Sequence, residues 1–263
     1  MKTMSTRELQ LIELEILKDF DTFCRKHDIK YFLAGGTLLG AVRHKGFIPW
    51  DDDVDIYMPR PDYIKFNRIY DSRFTLKLPL NDSKWHFPFA KLLNMSIIIR
   101  ENEFNLNTGV WIDIFPVDGW PDSYNESENY RRKRLQLELL CAARYGRFVK
   151  SKHGSLRTIC KFSAIGLLRL VPGSILAHYI DRSASRNFTY EDSKFVGNTV
   201  WPGEKIIRIT KDFFNDMIEL PFEDSKFYAP ANYDDYLVQA YGDYMKLPPI
   251  SERITHKIEL RSS

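Results

Sequence analysis

Leu9, Ile12, Ile16, Phe20 and Phe23 recur at helical spacing behind Ser5 and Glu8. Ser5 and Glu8 have the spacing of a capping box, so a helix is expected from there to about His27. Ile29-Lys30-Tyr31-Phe32-Leu33-Ala34 is short and β-rich and stops at Gly35-Gly36, the pattern of a strand running into a glycine turn. Thr37 to Val42 predicts one or two helical turns whose N-terminus begins at that pair. Past a loop with Gly46 and Pro49, Val54 to Met58 reads as a strand. Arg60-Pro61-Asp62 opens another helix, proline being harmless where a first-turn N–H has no partner.

Further short strands are expected at Phe74–Leu78, Phe89–Leu93, Ile97–Arg100 and Val110–Phe115. From Asn125 to about Ile180 the pattern turns helical, interrupted at Pro172-Gly173. After Phe195 it is loop-rich, with a strand expected at Ile206–Ile209 and a helix over Tyr233–Tyr241 that Gly242 stops. These shifts divide the chain into 1–121, mixing strands and helices around one sheet, a helical segment 122–194, and a region 195–263 that closes the unit.

Composition narrows the function classes. The net charge of +3 is too small to argue for nucleic acid, which is not expected as a partner. Cys24, Cys141 and Cys160 form no CxxC pair and no disulfide framework, which favours a reducing cytoplasm. Neither a signal peptide nor an uninterrupted apolar run of spanning length is visible, so the expected place is the cytoplasm, at most against the inner face of its membrane. Leu156 to Ile180 interleaves apolar residues with Arg157, Lys161, Arg169 and His178. Two readings of it stand side by side: a hairpin in peripheral contact with the membrane interface, or two amphipathic helices packed on the catalytic domain.

The chemistry concentrates in Trp50-Asp51-Asp52-Asp53-Val54-Asp55-Ile56. On an extended strand Asp51, Asp53 and Asp55 point one way, Asp52 and Val54 the other. Carboxylates crowded on one face repel each other, and a multivalent cation relieves that; hard oxygens favour Mg²⁺ or Mn²⁺. An acidic surface loop is the plain alternative. Upstream, Gly35-Gly36-Thr37 lies between a strand and a helix, where backbone N–H groups can hold a phosphate. Strand, Gly-Gly-Thr, short helix, then Asp-hydrophobic-Asp-hydrophobic resembles the nucleotidyltransferase superfamily signature, in which the glycine turn holds phosphates and the paired aspartates bind metals. That resemblance implies a third carboxylate on a neighbouring strand. Asp113 in Trp111-Ile112-Asp113-Ile114-Phe115 supplies it: an aspartate there is either a helix or turn cap or a buried ligand, and a β-pattern favours the ligand because an unpaired buried carboxylate is costly.

A closer resemblance is carried by Phe32-Leu33-Ala34-Gly35-Gly36-Thr37-Leu38-Leu39-Gly40-Ala41-Val42-Arg43-His44 followed by Gly46-Phe47-Ile48-Pro49-Trp50-Asp51-Asp52-Asp53-Val54-Asp55-Ile56. With Phe89-Ala90-Lys91-Leu92, Trp111 to Asp118, and Tyr241-Gly242-Asp243-Tyr244-Met245 before Pro248-Pro249, it is similar to the LicD family over nearly the whole chain. The resemblance implies an α/β (α+β) fold: a nucleotidyltransferase-like mixed sheet core with an added helical segment. It implies transfer of a phospho-alcohol, first of all phosphocholine from CDP-choline, to a glycan or polyprenyl-linked glycan acceptor (teichoic acid, lipopolysaccharide or capsule), with CMP released. Asp53, Asp55 and Asp113 would be catalytic and hold the metal; Gly35, Gly36, Thr37, Arg43, Lys91 and Asp51 would bind substrate. Choline would need aromatic faces, for which Trp50, Trp111, Trp120, Trp201 and Tyr241 are candidates. Fukutin-type relatives imply a rival, ribitol or glycerol phosphate moved by the same residues. A nucleoside-triphosphate-dependent nucleotidyltransferase and a non-catalytic glycan-binding scaffold are the more distant alternatives.

Overall fold

The structure, a computed structural model, describes residues 4–79, 82, 85–101, 106–145, 166, 170–203, 205–253 and 259–260. It is a mixed α/β fold around one 8-stranded sheet. In chain order the elements begin with α1 (Thr6–Lys26), β1 (Phe32–Leu33), α2 (Gly35–Arg43), β2 (Asp55–Pro59), α3 (Arg60–Ile69) and β3 (Thr75–Lys77). The long strands β4 (Ala90–Glu101) and β5 (Leu106–Trp120) follow, then α4 (Tyr124–Tyr145) and α5 (Gly173–Asn187). The chain closes with β6 (Phe195–Gly197), β7 (Ile209–Thr210), β8 (Met217–Phe222), β9 (Ser225–Pro230), α6 (Tyr233–Tyr241) and β10 (Glu259–Leu260).

β5 is the spine. The strand order is β1-β2-β5-β4-β10, with β3 on β4 and β6 and β7 carried from the far end of β5. β2 runs parallel to β5, whereas β4 and β6 run antiparallel to it. Val110, Ile112, Ile114 and Val117 of β5 are fully buried, and α1 packs on β4 and β5 with Leu14, Ile16, Leu17 and Phe20 inward. The expected capping box is present: the Ser5 hydroxyl accepts from the Glu8 amide and the Glu8 carboxylate from the Ser5 amide.

The two strands expected over 89–93 and 97–100 are one strand, interrupted by a register shift between Asn94 and Ile98. Opposite it stands Gly109, where a Cβ would lie 2.5 Å from the Asn94 carbonyl oxygen, so the irregularity needs glycine. The helix over 233–241 and its Gly242 stop are found as expected, with Gly242 at φ 71°. The loop-rich reading after Phe195 is corrected: β6 and β7 extend the sheet and β8 and β9 form a separate hairpin. β6 and β7, of three and two residues, are too short to show a period, and β8 and β9, of six residues each, carry prolines and no clean alternation.

Part of the 156–180 hairpin reading, and Cys160, lie outside the described residues. Within it, Leu170, Val171, Ile175 and Tyr179 are exposed. No described helix is long and apolar enough to cross a membrane. Cys24 and Cys141 are buried.

Arg60, at the head of α3, ties three elements together. Its Nε donates to Asp118 Oδ1 of β5 at 2.7 Å, and its Nη1 to Asp181 Oδ1 of α5 at 2.7 Å. Burial works against its charge, but the two carboxylates outweigh that and raise its pKa, while burial lifts the Asp118 carboxyl against Arg60's pull. Removing one partner would strand the other charge in the core. Arg60→Met is therefore expected to lower the unfolding free energy by about 3–5 kcal/mol, read from urea denaturation midpoints; a loss below about 1 kcal/mol would show the cluster to be solvated.

Candidate functional site

The register of three strands assembles the carboxylates. Asp55 opens β2 and stands beside Asp113 across the parallel ladder, while Lys91 of β4 faces Asp113 across the antiparallel one. Upstream, Asp51, Asp53 and Asp55 are half-buried and alternate with buried Asp52 and Val54, as an extended strand requires. The backbone holds this line from several sides. Asp113 N donates to Val54 O at 2.8 Å, Ala34 N to Asp55 O at 2.9 Å, and Gln10 Nε2 to Asp51 O at 2.8 Å.

The glycine pair forms the first turn of α2 rather than a turn before it. Gly35 has φ 51°, and a Cβ there would lie 2.5 Å from Asp55 Oδ2; a Cβ on Gly36 would lie 2.4 Å from Asp51 Oδ2. Two carboxylates press on the turn, so any side chain would have to displace them. The Gly35 amide donates to the Tyr236 hydroxyl at 3.0 Å. What the turn can offer an anion is then the amides of Gly36 and Thr37, first-turn groups with no intrahelical acceptor. The Thr37 hydroxyl is a brace, accepting from the Asp55 amide at 2.9 Å.

The electrostatics are those of a crowded corner. Burial raises the Asp55 carboxyl well above the usual range, and Asp53, Asp113 and Asp51 push it further, with Lys91 opposing. Asp113 is raised by burial against the pull of Lys91. Lys91 Nζ lies 3.0 Å from Asp113 Oδ1, close enough for an ion pair but off the hydrogen-bonding direction; its aligned bond, at 3.4 Å, goes to Oδ2. Oδ1 is thereby buried without a hydrogen bond among the described residues. No three His, Cys, Asp or Glu side chains among the described residues make a ready-built metal cage.

Residues 28–139 match the family model described as LicD/FKTN/FKRP, nucleotidyltransferase domain. The chain carries a LicD-family nucleotidyltransferase domain. It is 28% identical to the lipopolysaccharide cholinephosphotransferase LicD of Haemophilus influenzae over 98% of each chain. An uncharacterised Rickettsia typhi protein is 49% identical over 47% of this chain and 38% of its own length. Human ribitol 5-phosphate transferase FKRP is 61% identical over 28 residues, 11% of this chain and 6% of that protein.

A cleft of about 590 Å³ opens on one side of the carboxylates, lined by Gly36, Asp51, Asp53 and Asp55 and by Tyr241 and Pro248. Arg43 and Trp50 also line it. Arg43 turns its Nη1 to the Tyr244 carbonyl at 2.7 Å and its Nε to His44 Nε2 at 3.0 Å, so it holds the C-terminal wall as well as facing the cleft. Lys91 and Asp113 stand on the other side of Asp55, away from the cleft lining.

Gln10, Glu13 and Tyr236 were not visible as site residues in the sequence. A signal for the first two existed, since both are polar yet fall on the buried face of α1. Glu13 lies under the acidic segment with Oε2 unbonded among the described residues. Burial raises its carboxyl far above the ordinary glutamate range, with Asp53, Asp52 and Asp51 adding to the rise. The folded protein thus holds a proton that the unfolded chain releases. Stability is full below the unfolded pKa and is lost as pH rises towards the folded one. Glu13→Gln, which keeps the neutral shape, is expected to match the parent near about pH 4 and to exceed it near about pH 8 in urea midpoints taken in EDTA. Midpoints that stay parallel across that range would contradict a protonated Glu13.

Proposed function

We propose that this chain transfers phosphocholine from CDP-choline to a hydroxyl of a cell-surface glycan or its lipid-linked precursor, releasing CMP. The observation that carries the reading is the crowding of carboxylates around Asp55, which has Asp113 beside it across the ladder and Asp53 and Asp51 acting on it, with Asp55 and Asp51 pressed against the glycine turn. Support comes from the end-to-end similarity to a lipopolysaccharide cholinephosphotransferase.

The donor set fits Mg²⁺ or Mn²⁺. It is all hard oxygen, Asp113 Oδ1 is buried without a hydrogen bond, and the mutual repulsion around Asp55 calls for a counter-cation. Lack of a three-residue cage suits these ions too, because Mg²⁺ is commonly held by one or two carboxylates and completed by substrate phosphates and water. Asp53 and Asp55 would hold the ion, with Asp113 adjoining, and the ion would supply neutralisation of diphosphate charge.

In this reading the amides of Gly36 and Thr37 fix the diphosphate, Arg43 meets the nucleotide side in the cleft, and Lys91 reaches the phosphate being transferred. The acceptor oxygen attacks the phosphorus next to the choline oxygen, and the bond from that phosphorus to CMP breaks. Asp113, whose carboxyl burial makes more basic than usual, takes the acceptor's proton. Most of the work is positioning and charge compensation.

A metal-dependent CMP-release assay with CDP-choline, CDP-ethanolamine, CDP-ribitol and CDP-glycerol, a lipid-linked glycan acceptor and an EDTA control tests the reading. CDP-choline is expected to be the working donor, and Asp53→Asn to cost on the order of a thousandfold in kcat without lowering the thermal midpoint. Full activity in Asp53→Asn, or in EDTA, would remove the metal assignment. The second reading, ribitol phosphate transfer, is favoured by the 28-residue stretch shared with human FKRP, and turnover of CDP-ribitol alone would establish it.

A further inference from the structure

Five aromatic residues were candidates to receive a quaternary ammonium, and their surroundings separate them. Trp120 is core, 1% exposed. Trp201 packs its ring against Phe89. Trp50 already carries the Arg253 guanidinium 4.3 Å above its ring, and the cleft beside it and Tyr241 sets Arg43 and Lys246 among Asp51, Asp53, Asp55 and Asp243, groups the proposed reading gives to the metal and the nucleotide. Trp111 differs. It is half-buried, lies on β5 two residues before Asp113, and so shares that residue's face at a spacing of about 7 Å.

A cation is already in place there. Lys91 Nζ sits 4.0 Å from the centre of the Phe87 ring and 4.2 Å from that of Trp111, with Asp113 Oδ1 3.0 Å away. Two aromatic faces and a carboxylate around one ammonium are the chemistry by which proteins recognise quaternary ammonium groups. Here the occupant is tethered by a flexible four-carbon stem, so it can leave. Phe87 stands on the irregular stretch leading into β4, buried with its ring against Trp85 and Phe89.

We infer that Phe87, Trp111 and Asp113 form the subsite for the donor's trimethylammonium group, held by the Lys91 ammonium until the donor displaces it. This deepens the phosphocholine reading and rests on it. Choline has only two carbons between the oxygen on phosphorus and the nitrogen. A phosphate seated at Asp53 and Asp55 therefore reaches the box across the parallel pair Asp55–Asp113. The displaced Lys91 ammonium is then beside the phosphate it is meant to meet. The donor lies across the carboxylate line, with CMP in the cleft beside Arg43 and Lys246 and choline in the aromatic box.

The test compares phosphocholine with its neutral isostere, carbon in place of nitrogen, as competitive inhibitors of CMP release from CDP-choline. The full chain is used, alongside Trp111→Leu and Trp111→Phe. The parent is expected to prefer phosphocholine about tenfold. Trp111→Leu should lose that preference and Trp111→Phe keep part of it, while CMP inhibits all three equally. If Trp111→Leu shows no cooperative thermal transition, Trp111→Phe alone carries the comparison. A preference undiminished in a folded Trp111 variant overturns the box and leaves phosphocholine transfer standing. A parent that turns over CDP-ribitol and ignores CDP-choline overturns both.

Discussion

Like charges buried side by side repel more strongly than they would in water, because a protein interior screens them poorly. The parallel pairing of β2 with β5 imposes that condition by setting Asp55 directly beside Asp113, with Asp53 and Asp51 further up the same line. Much of the surrounding architecture is a response to it. Lys91 is delivered from the opposite side of β5 to balance Asp113. Gly35 and Gly36 have no side chains where Asp55 and Asp51 press against the backbone, and Gln10 holds the Asp51 carbonyl from α1.

The same condition gives the site its chemical character. Carboxyls pushed up by burial and by each other are stronger bases than surface aspartates, and they gain most from a counter-cation brought in with a phosphate. Stability and function pull in opposite directions here, since the corner is least comfortable when it is empty of positive charge. The Arg60 cluster lies near the far end of β5, where Asp118 and Asp181 bind one guanidinium tightly. It anchors the strand at a distance from the strained end, so the carboxylate corner is held by the sheet and need not be self-stable.

Features with a short repeat were legible in the sequence. The alternation of Asp51, Asp53 and Asp55 with Asp52 and Val54 has a period of two, and burial follows it residue by residue. The Ser5–Glu8 box and the Gly242 stop are local chemistry and needed no tertiary information. What stayed hidden depends on contacts between distant parts of the chain. Tyr236 reaches Gly35 across 201 positions, and Arg60 reaches Asp118 across 58. No local period marks such pairs. β6 is too short for an alternation, and β8 and β9 carry prolines and no clean alternation, so none of them was distinguished from loop, whereas the strand expected at 206–209 is met by β7 at its end only. Lys91 was visible as a charge in an apolar strand, but its aromatic company was not, because Phe87 and Trp111 join it only through the loop before β4 and the β4–β5 ladder.

That company bears on how one scaffold could serve different alcohols. In the proposed reading the carboxylate line and the glycine turn would engage only the metal and the diphosphate, which is common to every CDP-alcohol, so they would not discriminate among donors. Discrimination has to come from what lies beyond the transferred phosphate. On the cleft side Arg43 and Lys246 stand among Asp51, Asp53, Asp55 and Asp243, a mixed set that suits an anionic nucleotide together with a counter-cation. On the other side stand aromatic faces and a carboxylate already balanced by a cation, which suit a cationic alcohol and offer a polyol few hydrogen-bonding groups. Replacing one ammonium with another keeps the charge at Asp113 constant, so choline can enter without leaving a buried carboxylate uncompensated, whereas a neutral polyol that displaced Lys91 would leave it so.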